Sequence, residues 1–480
     1  MTATEARRLI GLKKLSPREL LSSCLDRIAA ANPALNAIVA MDEAGAKRDA
    51  ELAEEAVMTG EPLGLLHGLP VGIKDLQATG GLRTTYGSLI YKDNVPEEDD
   101  LSVANLRTEG GLILAKTNTP EFGAGANTKN GVYGPTGNPF DPDKTCGGSS
   151  GGSAVAVATG MLPVATGSDY GGSLRTPASF CGVVGFRPSP GLVPNAKRAD
   201  SLSPFSVLGP MGRTVADVHL LLRAQIDWDN GDPFCRDDPT DVSETLIDAD
   251  LASLNVAISS DLGGCPIDDS IRSVFKARVD LISHVFGEVE DRDPDFTNVH
   301  DTFEILRGIN FIAAHKERLD SHRDLLGPNV IDNTERGLAY TAADVAWAHA
   351  EQTKLYHRVL SFFDEHDVLI CPAASVSPFP HAQLAVEAIN GENMPTYMRW
   401  LALTYAPTTA LCCAAVLPCG VDNNGLPFGI QVIGPRGADA DVLAIASALE
   451  NVLSENPETA RPLPDIGKLT GAPPITHEAG

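Results

Sequence analysis

The sequence predicts an α/β fold, a sheet with helices on its faces. Helical periodicity alternates with short apolar runs through the N-terminal half, and strand-like runs return near the C-terminus. Size supports the same class. A chain of 480 residues, 43 % hydrophobic and 21 % charged, can build a large core and is not disordered. At about 150 residues per domain the length suggests about three domains. No internal repeat and no clean linker divides the chain, so one domain over 1–480 is expected.

The elements follow in order. Residues 1–60 read as a helical segment. Ser16-Pro17-Arg18-Glu19 is a capping box with proline at the first helical position. Leu20, Leu21, Cys24, Leu25 and Ile28 then recur at helical spacing, and 42–58 is a second helix closed by Gly60. Residues 69–75 fit a buried strand ending at Lys74. A helix from 103 stops at Gly110-Gly111, and 112–115 is a strand. Between two glycine clusters, 154–158 reads as helix and 162–166 as strand. Residues 270–350 read as helical. Strands are expected at 368–371, 414–417 and 429–433, a closing helix at 443–453, and a Pro-rich tail over 457–480.

Net charge is −26 and pI about 4.7, which argues against nucleic-acid and anionic-membrane partners. Residues 226–250 hold nine acids and one base, Arg236, and read as a solvated surface excursion. They lack calcium-loop spacing. Residues 401–421 carry no charge but contain Pro407, Pro418 and Gly420, so a buried strand with flanking turns is expected rather than a membrane span. The N-terminus has no signal-peptide core. Nine unpaired cysteines read as reduced thiols of a cytoplasmic protein, with the vicinal pair Cys412-Cys413 as core packing.

The glycine clusters are where chemistry is expected. Neither carries the lysine of a phosphate-binding P-loop, and the dinucleotide fingerprint is absent. Gly147-Gly-Ser149-Ser-Gly151 matches G-x-S-x-G, a weak signal in a Gly/Ser-rich run. In the second cluster, Gly171-Gly172-Ser173, glycines let backbone N–H groups converge. The amides of Tyr170, Gly171, Gly172 and Ser173 can form an oxyanion hole beside a serine nucleophile. A serine needs a base. None of the eleven histidines lies in the Gly/Ser-rich segment, and His315 and His322 read as ordinary helix-surface residues. Lys74 is the candidate, if desolvation lowers its pKa from about 10.4. The alternative is a structural lysine salt-bridged to its neighbour Asp75.

Gly72-Ile-Lys74-Asp75, the Gly147–Ser153 cluster and Gly167-Ser-Asp-Tyr-Gly-Gly-Ser173-Leu-Arg175 together resemble the amidase signature family. Lys74, Ser149 and Ser173 are spaced by 75 and then 24 residues. Gly110–Asn118, Gly137-Asn-Pro139 and Phe180–Gly185 agree. The resemblance is strong over 63–215, the signature core, and fainter over 367–434. It implies a single large domain with a mixed sheet and helices on both faces. It also implies a Ser–cis-Ser–Lys triad: Ser173 as nucleophile, Ser149 as bridging serine with a cis peptide to Gly148, and Lys74 as base. Asp169 and Arg175 would hold the glycine loop. The substrate would be a small-molecule amide, with no metal or other cofactor, and homodimerisation is a family-level expectation. Tyr170 stands where the family often has a smaller or aliphatic residue and Cys146 where proline is common. Cys146 lacks a partner base and reads as a bystander.

The same signature occurs in the component of a tRNA-dependent amidotransferase that releases ammonia from glutamine. The stretch Tyr397–Tyr405 lacks the Asp-Phe-Thr expected there. A non-catalytic relative is a third reading, against which all three triad residues stand. Pocket walls are expected from 300–315 and 395–408, from position alone.

Overall fold

The structure, a computed structural model, describes residues 1–236, 242 and 245–476. Helix α1 (Ala3–Gly11) is followed by α2 (Pro17–Leu35), where Ser16 and Glu19 form the reciprocal capping box. After strand β1 (Ile38–Met41), α3 (Glu43–Thr59) is capped by Asp42 and ended by Gly60 in the left-handed region. Then come β2 (Pro70–Lys74), α4 (Leu101–Thr108) and β3 (Leu112–Thr117). A small ribbon pairs β4 (Lys129–Asn130) with β5 (Gly134–Pro135). Next are α5 (Gly151–Ala158), β6 (Val164–Asp169), α6 (Arg175–Cys181), β7 (Val184–Arg187), β8 (Val207–Gly212) and α7 (Val215–Gln225).

The second half holds β9 (Asn255–Ile258), α8 (Asp269–Ile282), β10 (Glu288–Asp291), α9 (Val299–His322), α10 (Pro328–Ala339) and α11 (Ala342–Phe363). It continues with β11 (Val368–Pro372), the ribbon β12 (Ala388–Ile389) and β13 (Glu392–Asn393), and α12 (Ala402–Thr409). It closes with β14 (Cys413–Val421), β15 (Pro427–Gly434), α13 (Asp439–Glu455) and α14 (Ile466–Thr470).

Eleven strands form one sheet in the order β1-β3-β2-β6-β8-β7-β14-β15-β11-β9-β10. β2 runs parallel to both β3 and β6, while β6–β8, β7–β14 and β14–β15 are antiparallel, so the sheet is mixed. Helices cover both faces. On β15, a Cβ at Gly429 would touch Ser179 of α6 at 3.0 Å, and one at Gly434 would touch Val442 of α13 at 2.6 Å. Residues five apart on a strand point to opposite faces. The central strands β2, β3, β14 and β15 are apolar and buried on both sides, as the short uncharged runs predict.

Several expectations change. Residues 401–421 are not one strand with turns: α12 occupies the first half, with Pro407 inside it, and β14 the second. The fully apolar environment hides the helical period there, because every face is buried. The helical stretch 270–350 is interrupted by the exposed strand β10, which gains its hydrogen bonds from β9. Helix α5 starts at Gly151, inside the glycine cluster.

Within 226–250, four of the nine acids (237, 238, 241 and 244) lie outside the described residues. Of the others, Asp232 is buried and accepts from Arg198 at 2.5 Å and from the Asn195 N–H at 2.9 Å. The segment 457–476 carries α14 packed on α2 with Leu469 buried, and Ile475 N–H donates to Pro33 C=O at 3.0 Å. Residues 477–480 lie outside the described residues. All nine cysteines are free thiols. Among the described residues no helix is long and apolar enough to cross a membrane.

Candidate active site

Strands β2 and β6 lie side by side, with Val71 opposite Val164 and Gly72 opposite Ala165. Parallel neighbours end at the same edge of the sheet, so Lys74 and Asp169 close the two strands together. The first glycine cluster runs over that edge into α5 through a cis peptide between Gly148 and Ser149. The second turns from β6 into α6. Ser150 N–H donates to Ser173 C=O at 3.1 Å, which ties the two loops together.

Lys74 is fully buried, and its Nζ lies 2.7 Å from Ser149 Oγ, 2.9 Å from Ser150 Oγ and 2.9 Å from Ser168 Oγ. Burial pulls its pKa down to about 7, against the attraction of Asp169. Asp75 is not its partner. That carboxylate accepts from Thr85 N–H at 3.1 Å and Thr85 Oγ1 at 2.6 Å, and the charge that most favours its ionised form is Lys116. The alternative of a structural salt bridge between Lys74 and Asp75 is therefore not what the fold builds.

Asp169 is the hub of the second loop. It accepts from Gly172 N–H at 2.9 Å, Leu174 N–H at 3.0 Å, Arg175 Nη2 at 3.0 Å and Arg187 Nη1 at 3.2 Å. Burial pushes this carboxyl up, but the guanidinium groups of Arg175 and Arg187 outweigh it and hold the group well below the usual carboxylate range. Arg175 reaches on to Thr408 Oγ1 at 2.7 Å and Gln431 Oε1 at 3.2 Å, anchoring the loop to α12 and β15.

The amide of Gly172 is thus spent on Asp169 and is not aimed at a substrate. Those of Tyr170 and Gly171 have no hydrogen-bond partner among the described residues. Gly172 is held at φ +126°, and a Cβ there would lie 2.2 Å from Thr404 Oγ1, so no other residue fits.

Ser173 is half-buried on a pocket with an empty volume of about 270 Å³. Gly123, Gly125, Ala126, Gly148, Gly171 and Gly172 line it, with Tyr170, Arg307, Met398 and Leu401 as the large groups. Arg307 falls within 300–315 and Met398 and Leu401 within 395–408, the segments expected from position. The rim at 123–126 was not expected. A Cβ at Gly123 would lie 3.3 Å from Ser149 Oγ. Sequence reading also missed Ser150, Ser168 and Arg187. Ser150 carried a signal, since it sits in the same cluster, whereas Arg187 carried none.

Cys146 is buried and its thiol is pushed up to about 12 by that burial. His315 corrects an expectation. It is not on a helix surface but buried, its ring 4.7 Å from that of Phe122 and 5.2 Å from that of Phe311. Burial and two arginines pull it down to about 3, so it is a neutral ring. His322 is exposed as expected.

Comparison with known proteins points in one direction. A family model described as Amidase matches residues 19–443. The chain is 33 % identical over 455 residues to an acylamidase of Rhodococcus erythropolis, covering 94 % of this chain and 95 % of that one. It is 31 % identical over 464 residues to the GatA-type component of the glutamyl-tRNA(Gln) amidotransferase of Acaryochloris marina, covering 91 % and 95 %. Among solved structures it resembles a bacterial aryl acylamidase of the amidase signature family, with a TM-score of 0.89, 28 % identity, and 98 % and 99 % covered.

Proposed function

The chain belongs to the amidase signature family, and we propose that it hydrolyses the C–N bond of a small or medium carboxamide through an acyl-enzyme on Ser173. The observation that carries the reading is Lys74. A buried amine with a pKa pulled down to about 7 is half neutral at neutral pH. A neutral amine has two N–H groups and one lone pair. Facing three hydroxyls, it donates to two and accepts from the third, so a proton can pass to it from Ser149.

The steps balance without any further reactant than the amide and water. Ser173 Oγ bonds to the carbonyl carbon while its proton passes to Ser149 and the Ser149 proton to Lys74. The carbonyl electron pair moves to oxygen, which the free amides of Tyr170 and Gly171 receive. The C–N bond then breaks, and the proton held at Lys74 returns through Ser149 to the leaving nitrogen. Water attacks the ester carbon by the same relay, releasing the carboxylate and restoring Ser173. Asp169 and Arg175 hold the donor loop in shape.

The test is ammonia or amine release by the purified chain alone over aryl, aliphatic and cyclic amides, ureas and peptide amides, with Ser173→Ala as blank. Turnover of at least one class, lost in the blank, is the expected result. A second reading, as the glutamine-hydrolysing component of a tRNA amidotransferase, is supported by the amidotransferase relatives. Activity restricted to glutamine and dependent on partner proteins would favour it and overturn the first.

A further inference from the structure

Arg307, on α9, is a cation beside the candidate nucleophile that pairs with no carboxylate among the described residues. It is 5 % exposed. Its Nε donates to Asn333 Oδ1 at 2.9 Å and its Nη2 to Tyr397 Oη at 2.9 Å. The rings of Phe311, Tyr170 and Tyr397 lie 4.6, 5.2 and 6.0 Å from its Cζ. The remaining nitrogen, Nη1, has no hydrogen-bond partner among the described residues, and the same side chain lines the Ser173 pocket.

The acids near it are taken. Glu304, one turn earlier, accepts from Arg399 at 3.0 Å and Thr396 at 3.1 Å. Asp332, next to Asn333, is paired with Arg336 at 2.9 Å. A buried guanidinium without a counter-charge is costly. Ring faces offset part of that cost but offer nothing to a free N–H donor. A carboxylate brought by the substrate supplies both the charge and the acceptor.

We propose that Arg307 is the specificity-determining residue, and that the substrate is an amide bearing a carboxylate that docks on Nη1. Asn333 and Tyr397 orient the fork, and the rings of Tyr170 and Phe311 fix its plane, so the anion is read at a set position relative to Ser173. Tyr170, where the family often has a smaller residue, is then part of the selector. This inference rests on the amide-hydrolase reading.

The experiment separates the two. Calorimetry on the Ser173→Ala chain measures binding of the monoamides of malonic, succinic and glutaric acids against neutral unbranched amides of the same chain length. One of the acid monoamides is expected to bind about 10- to 100-fold tighter than its neutral match, the range of one charge-assisted pair. Arg307→Met in that background should bring the ratio close to one. The ratio of kcat/KM values in the wild-type chain should follow the same preference. Equal binding of charged and neutral amides, or a preference that survives Arg307→Met, overturns the proposal. Binding preference without turnover would keep the anion site and remove the hydrolase reading instead. Should Arg307→Met fail to fold, Arg307→Lys replaces it. A lysine lacks the planar fork, so the preference should fall by at least about threefold, and an unchanged preference counts against the proposal.

Discussion

Lys74 ends β2 and Lys116 lies on the adjacent strand β3, where Ile73 pairs with Lys116 and Lys74 with Thr117. Paired residues share a face, so the two lysines point to opposite faces of the sheet. Both side chains are completely buried. Burial pulls both ammonium groups down, Lys74 to about 7 and Lys116 to about 8, in each case against the attraction of nearby acids.

The surroundings differ. Lys74 meets three hydroxyls, groups that can give as well as accept a proton. Lys116 donates to the Gln77 carbonyl, which can only accept, and to Thr79 Oγ1 at 2.9 Å, and Asp75 lies within its field. Desolvation makes a lysine easy to deprotonate. Only a partner with a transferable proton makes it a base.

The largest effect that would break this contrast is at the far end of the relay. Ser173→Ala should lower kcat by at least about 10⁴-fold, with the thermal midpoint within a few degrees of wild type. Surviving turnover would take the reaction away from the Lys74 side altogether. Paired substitutions at the two lysines sharpen it next. Lys74→Met should cost on the order of 10³–10⁴ in kcat. Lys116→Met should cost about 1–3 kcal/mol in a urea melt, because the Gln77 carbonyl is left unpaired, with under about tenfold in kcat. Equal activity losses would erase the distinction drawn between them.

Asp169→Asn probes the charge that bears on Lys74 from the loop. Two buried guanidinium groups lose their common partner, and unfolding free energy should drop by about 3–5 kcal/mol. A loss under about 1 kcal/mol would show that the arginines are held by other means.

A smaller effect is read by pH. Neutral Lys74 is the active form, so kcat/KM should fall about tenfold per pH unit below about 7 and level off above it. A profile flat from about pH 5 to 8 contradicts the lowered pKa. Cys146→Ala should change kcat least, by under about threefold, since a thiol pushed up to about 12 is not a nucleophile near neutral pH.

Much of this was legible in the chain. The capping box at Ser16, the stop at Gly60 and the apolar runs ending at Lys74 and around 112–115 are local signals, because capping and burial act on neighbours in sequence. The three motifs around Lys74, Ser149 and Ser173 were likewise readable. Each combines a glycine-permitted backbone with one reactive group, and that pairing survives in the letters. Other features left no such trace. Arg187 joins Asp169 only because β7 lies two strands from β6, with β8 between them. α12 is buried all round, so its period vanished, and His315 reads as a surface histidine until α9 is seen against Phe122.

The sequence by itself determined the α/β class, the edge where the glycine loops lie and the identity of the nucleophile and base candidates. All of these follow from residue type, local period and spacing. Only the tertiary structure decided that Gly172 spends its amide on Asp169, that Ser150 and Ser168 complete the Lys74 cluster, and that Arg307 lines the pocket with one nitrogen free. Those are relations between segments far apart in the chain, set by strand order and packing. No local pattern encodes them.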